Sequence, residues 1–395
     1  MNIRLIAIAV AAIMTKNVMA QEHAQRKPRI PFKTDTMMVH DPVMAYEDGT
    51  YYIYSTGMGI QAATSTDRKT WTVHPEGLLR DIPAWTHDSV PGFERHIWAP
   101  DIIRWHGKWW LTYSCSTFGK NGSAIGLMSN STLNPSSPNY HWEDLGCLVC
   151  SKEGRDNWNA IDPNIIIDEN DQGWMVWGSF WDGIQIAPLE TSGSTLQLAG
   201  APRTLARRHV PGSKFAEPNP TSQFAGRNAI EAPFIMKKGR YYYLFVSWDY
   251  CCRGSKSNYR VAVGRSQSVA GPYLDKDGLN MLYGGGYLLA EGDKKIYEAM
   301  GHCSAYTMNG EDLFLCHGYS IEKGGASLLV QKKIRWQDDW PILVPRQEWG
   351  LAAAKPHSCF YFFFFLSASC SCCFTFSLQS IIFWSRKDVS LEAEA

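Results

Sequence analysis

Asn159-Ala160-Ile161-Asp162-Pro163-Asn164-Ile165-Ile166-Ile167 sets a carboxylate and a proline at the head of an apolar β-run. Four other places repeat the plan. Val39-His40-Asp41-Pro42-Val43 leads into Tyr51-Tyr52-Ile53-Tyr54-Ser55, and Trp98-Ala99-Pro100-Asp101-Ile102 into Lys108-Trp109-Trp110-Leu111-Thr112-Tyr113. Ile230-Glu231-Ala232-Pro233-Phe234 leads into Tyr241-Tyr242-Tyr243-Leu244-Phe245-Val246, and Gly301-His302-Cys303-Ser304-Ala305 into Asp312-Leu313-Phe314-Leu315-Cys316. Between the two strands of each pair lies a turn: Asp48-Gly49, His106-Gly107, Gln172-Gly173, Lys238-Gly239 or Asn309-Gly310. Such turns between period-2 runs are hairpin signals. Five hairpins at intervals of about 60–70 residues predict radial repetition of small antiparallel sheets, an all-β, five-bladed β-propeller with its site at the channel mouth. A β-sandwich is the alternative, but it does not explain why the copies stay in phase. Blade boundaries are expected near residues 95, 158, 226 and 298.

Residues 1–20 read as a signal peptide. Arg4 supplies the charge, residues 5–14 the apolar core, and Val18-Met19-Ala20 the cleavage site. That core is too short for an ordinary transmembrane helix. A secreted or periplasmic protein without stable membrane insertion is expected. The propeller is placed at about 30–350. Acidic and basic residues balance at 38 each with no block of one sign, which argues against a nucleic-acid partner. Sixteen Trp and eighteen Tyr in an exported chain suit blade cores and sugar stacking alike.

The eleven cysteines are an odd number. Cys147 and Cys150 lack a second pair at zinc-site spacing, so zinc is not expected. Cys251 and Cys252 are adjacent; a vicinal disulfide and two free thiols are both open readings. Residues 356–395, with Phe360-Tyr361-Phe362-Phe363-Phe364-Phe365 and Ser369-Cys370-Ser371-Cys372-Cys373, show neither strand nor helix periodicity. They read as a frame-shifted or mis-called end that replaces the last strands of blade five.

Equivalent points of a repeated blade face one axis. At the entry to the first strand stand Asp41, Asp162 and Glu231, from three blades, with His302 from a fifth. Three carboxylates gathered in one pocket are costly unless they do chemistry. Inverting glycoside hydrolysis needs a carboxylate to deprotonate water and a carboxylic acid to protonate the leaving oxygen, and a third carboxylate nearby tunes the acid.

These motifs, together with Tyr242-Tyr243-Leu244-Phe245-Val246-Ser247, Cys251-Cys252-Arg253-Gly254, Val263-Gly264-Arg265-Ser266 and Gly271-Pro272-Tyr273, resemble glycoside hydrolase family 43, and within it the endo-α-1,5-L-arabinanase branch. The resemblance spans about 35–345. It implies a five-bladed propeller that inverts configuration, with Asp41 as general base, Glu231 as general acid and Asp162 as pKa modulator and orienter. It further implies a central calcium ion held by His302 through water, and no organic cofactor. Trp98, Phe118 and Trp181 are candidate sugar platforms, and Ser179 a candidate partner for a sugar hydroxyl. The expected substrate is arabinan or an arabino-oligosaccharide cut internally by a monomer. An exo-acting α-L-arabinofuranosidase or β-xylosidase on the same scaffold is the alternative, and a non-catalytic carbohydrate-binding propeller is the alternative of another class. The latter would need none of the three acids.

Overall fold

The structure is a computed structural model that describes residues 30–209 and 225–344. The signal-peptide expectation and residues 356–395 fall outside the described residues. Five antiparallel sheets follow one another along the chain. Blade I comprises Val43–Glu47, Thr50–Ser55, Gln61–Ser65 and Trp71–His74, with Phe32–Thr34 on its outer edge. Blade II comprises His96–Trp105, Lys108–Cys115, Ser123–Asn130 and Glu143–Ser151, and Gly57–Met58 pairs with its first strand. Blade III holds Asn164–Ile167, Gly173–Trp177, Ile184–Ser192 and Thr195–Leu198, with Arg203–Ala206 also on the third strand. Blade IV holds Ile230–Lys238, Tyr241–Trp248, Arg260–Ser266 and Tyr287–Glu291. Blade V holds Tyr297–Met308, Glu311–Ser320, Ala326–Gln337 and Trp340–Val344.

Local chemistry explains the hairpins. Asp48-Gly49, His106-Gly107 and Asn309-Gly310 all have positive φ at both positions, the geometry that matches the twist of paired strands. Packing between blades then builds the ring. Each large apolar cluster joins neighbours: Tyr54 of blade I meets Leu111 and Tyr113 of blade II, and Trp110 of blade II shares a cluster with Met175 and Trp177 of blade III. Val176 packs with Leu244 and Val246, Phe245 with Phe314, and Leu313 and Leu315 with Met44 and Ile53. The ring closes between its first and last blades, where Val39 donates its N–H to Ser327 and Leu329 donates to Met37.

Blade V corrects one expectation. Its four strands are complete by Val344, so residues 356–395 do not stand in for any of them. The apolar pattern of Trp340-Pro341-Ile342-Leu343-Val344, paired to Lys333–Gln337, supplies the outer strand before the anomalous composition begins.

Candidate active site

A proline, or Cys303 in its place, stands just before the first strand of blades I and III and inside that of blades II, IV and V, and the residue before it is left-handed each time. Asp41, Ala99, Asp162, Ala232 and His302 have φ of 54°, 41°, 57°, 53° and 50°. For a residue with a Cβ this conformation costs about 1–2 kcal/mol, so something must hold it. A neighbouring blade does. Asp41 donates its N–H to His317 Nδ1 (3.1 Å), Ala99 to Thr56 Oγ1 (2.9 Å), Asp162 to Ser114 Oγ (3.0 Å) and His302 to Ser247 Oγ (2.8 Å). In every case the acceptor sits near the end of the second strand of the preceding blade, with blade V serving blade I.

Blade III breaks the rule. Gly178 occupies its acceptor position and has no side chain; a Cβ there would lie 2.6 Å from the Gly183 carbonyl oxygen. The orphaned Ala232 N–H goes instead to Asp162 Oδ2 at 3.1 Å. This ties the Asp162 carboxylate to the backbone next to Glu231.

The phase also corrects the sequence reading. Glu231 lies one residue before the left-handed position and is therefore equivalent to His40, Trp98, Ile161 and Gly301, not to Asp41 and Asp162. The bulges show it: Glu231 pairs with Ser247, Trp98 with Ser114 and Gly301 with His317 before each register shift. Both sets of positions reach the channel mouth, so the three acids still converge.

Each acid is buried and differently held. Asp41 is 6% exposed; Oδ2 accepts from Thr56 Oγ1 (2.5 Å), and Oδ1 lies 2.8 Å from His40 Nδ1 and 3.0 Å from His302 Nδ1. Burial opposes its charge, but His302 and His40 outweigh burial and hold the carboxyl well below the usual range. The same contacts push His302 up to about 9 and His40 up to about 10, in both cases against burial. His317 differs. Its Nδ1 accepts the Asp41 N–H, so its 3.5 Å approach to Asp41 Oδ1 is not an ion pair, and burial with the charge of His40 keeps it neutral.

Asp162 is pushed up to about 8, first by burial and then by the charges of Glu231 and Asp41, against the pull of His302. Glu231 Oε2 accepts from Ser179 Oγ (2.7 Å) and Oε1 from Tyr259 Oη (2.8 Å). Gly301 makes this second contact possible, because a Cβ there would meet the Tyr259 ring at 2.0 Å. The site thus holds one carboxylate fixed in the charged form, one carboxyl that keeps its proton to near-neutral pH, and one aimed by two hydroxyls.

Of the remaining expected residues, Ser179 and His302 touch the acids, and the three aromatic ones differ in exposure. Trp98 is half-buried and donates Nε1–H to His96 Nδ1 at 3.1 Å. Phe118 is exposed. Trp181, in contrast, is 3% exposed, so its ring packs inside the fold and is no open stacking face. The Ser179 hydroxyl proton is committed to Glu231 rather than open to a sugar. His302 keeps only Nε2 for an ion, because Nδ1 faces Asp41, and that nitrogen would give up its proton to accept from the ion's water shell. A hard cation takes six to eight oxygens, so this donor set fits an ion held chiefly through water. His40, Thr56, Tyr259 and His317 were missed. Aligning the hairpins on their prolines would have flagged Thr56, Ser114, Ser247 and His317 as one recurring position. The described cysteines, Cys251 and Cys252 among them, are free thiols.

The model of the glycosyl hydrolases family 43 matches residues 34–341. The extracellular exo-α-(1→5)-L-arabinofuranosidase of Cellvibrio japonicus is 43% identical over 304 residues, 77% of this chain and 85% of that protein. The extracellular endo-α-(1→5)-L-arabinanase of Bacillus subtilis is 36% identical over 308 residues, 77% of this chain and 87% of that protein. Among solved structures, the exo-1,5-α-L-arabinanase from a bovine ruminal metagenomic library superposes with a TM-score of 0.73 at 50% identity, covering 80% of this chain and all of that one. The chain belongs to glycosyl hydrolases family 43, and it is a glycosidase on a five-bladed β-propeller.

Proposed function

We propose that the chain hydrolyses α-1,5-linked L-arabinofuranosyl chains, arabinan or its oligosaccharides, with inversion of configuration. The observation that supports this most is the convergence of Asp41, Asp162 and Glu231, buried and electrostatically linked, from blades I, III and IV. Asp41, held ionised, takes a proton from water as the water oxygen attacks the anomeric carbon. Glu231 gives a proton to the departing oxygen, and Ser179 and Tyr259 aim it. Asp162, anchored by the Ala232 N–H, sits in the field of both other acids and orients the acid side of the site.

A calcium ion held by His302 Nε2 through water belongs to the same proposal; once bound it would add positive charge near the acids. Chelation by EDTA followed by calcium return should lower and restore activity. Unchanged activity after exhaustive chelation would remove the ion from the scheme.

Internal cleavage was the expectation from sequence motifs. A second reading, exo action, is favoured because both reported relatives at 43% and 50% identity carry exo names, against 36% for the endo-named one. Secretion is supported by the word extracellular in the names of both curated relatives, and no helix among the described residues is long and apolar enough to cross a membrane.

Product analysis on debranched linear arabinan tests the proposal. Mixed short oligosaccharides at early times indicate endo action, and one product of fixed length indicates exo action. NMR of the first-formed anomer reads inversion directly. No cleavage by a folded chain that still binds arabinan would favour the binding module.

A further inference from the structure

The loop from Trp248 to Tyr259 touches both halves of the site. At its end, Tyr259 Oη holds Glu231. Midway, Cys252 has a left-handed backbone (φ 63°), its N–H donates to Tyr319 Oη at 2.7 Å, and its sulfur lies 3.9 Å from His40 Nε2. Tyr319 Oη in turn lies 2.9 Å from the same His40 nitrogen, and His40 Nδ1 faces the base Asp41. An exposed thiol is therefore pinned one side chain away from the general base, with a second thiol, Cys251, beside it.

We propose that Cys252 is a thiol–disulfide exchange site for small organic disulfides, and that its modification suppresses the glycosidase. The catalytic half of this rests on the reading of Asp41 as base.

Cys252 is the reactive member among the described thiols. A hydrogen bond from Cys251 is the largest influence and, with His40, overcomes burial to lower Cys252 to about 6. Cys147, the other exposed thiol among the described residues, is pushed up to about 12 by burial and by Cys150. Only the thiolate attacks a disulfide. In the exchange, Cys252 loses its proton to solvent and its sulfur attacks one sulfur of the disulfide. The S–S bond breaks, a new S–S bond joins the adduct to Cys252, and the departing thiolate leaves with the electron pair and is protonated by solvent. The disulfide is the oxidant. The adduct then fills the space against His40 and pulls on the loop that carries Tyr259.

The test treats the full chain with oxidised glutathione, maps adducts by peptide mass, and follows hydrolysis of linear arabinan in parallel. Expected is oxidation at Cys252, read as the mixed disulfide or as the Cys251–Cys252 disulfide left when Cys251 displaces glutathione, well before any adduct on Cys147. Activity should fall at least about tenfold, as small misplacements of catalytic groups do, and dithiothreitol should restore it. Cys252→Ser should take up no adduct at this position and lose the sensitivity to glutathione disulfide. In Cys251→Ser the adduct should persist, since no neighbour can displace it. Adducts that prefer Cys147 or the cysteines at 359–373 would overturn the exchange site by mass alone, whatever the substrate proves to be. Full modification of Cys252 with arabinan hydrolysis unchanged would overturn the link to the base.

Discussion

Replacing Tyr259 by Phe deletes one oxygen atom at the proposed acid. The Tyr259 hydroxyl donates to Glu231 Oε1 at 2.8 Å, and Ser179 holds the other oxygen at 2.7 Å. The ring itself is locked in place: it is 1% exposed, stacks on His317 at 5.8 Å and fills the slot left by Gly301. Phe keeps that packing, so the loss is confined to one hydrogen bond to a carboxyl that becomes charged as it gives up its proton, worth about 1.5–3 kcal/mol net once that charge develops. If the whole loss falls on the transition state, kcat on linear arabino-oligosaccharides drops roughly ten- to hundredfold, with KM little changed. The decisive comparison uses a para-nitrophenyl arabinofuranoside, whose leaving group departs without a proton. There the variant should stay within about threefold of the parent, because acid assistance is what it has lost. Thermal unfolding of both proteins is measured alongside. Equal losses on the two substrates, or no loss on either, would refute the claim that Tyr259 acts by aiming the acid.

Asp162→Asn keeps an oxygen for the Ala232 N–H but removes a buried ionisable group. Asp162 is raised from 3.8 to about 8, so the folded protein holds a proton that the unfolded chain releases; its contribution to stability is intact below about 3.8 and is lost as pH rises towards 8. The variant should match the parent in melting temperature near pH 4 and gain on it steadily towards pH 8, and a constant offset would contradict this. Arg207→Ala should cost about 3 kcal/mol in urea unfolding, because it strips the 2.7 and 3.0 Å contacts from buried Asp182; less than about 1 kcal/mol would mean that Thr204 alone satisfies that carboxylate. A chain ending at Lys355 should melt and hydrolyse like the full chain, since blade V is complete by Val344.

The hairpins were legible because their cause is local. Period-2 runs and Asp-Gly, His-Gly and Asn-Gly turns fix strand pairing through φ preferences that neighbouring residues alone decide. Repeating that unit five times leaves a ring as the arrangement that buries each sheet face against the next. The same repetition named Asp41, Asp162, Glu231 and His302. The spacing to proline already sets Glu231, two residues before Pro233, one position away from Asp41 and Asp162; what only the folded ring decided is that both sets of positions meet at one site. Nor did the sequence show that the Trp181 ring packs inside the fold, since aromatic character is the same for a ring that packs and a ring that lies open. The protonation states came from still farther away. His317 is 276 residues from Asp41, Ser179 is 52 from Glu231, and Gly178 acts by lacking an acceptor that four other blades supply. Turns and strands follow from contiguous residues, whereas a carboxyl's charge depends on which distant donors and burial surround it, and only the closed ring brings those together.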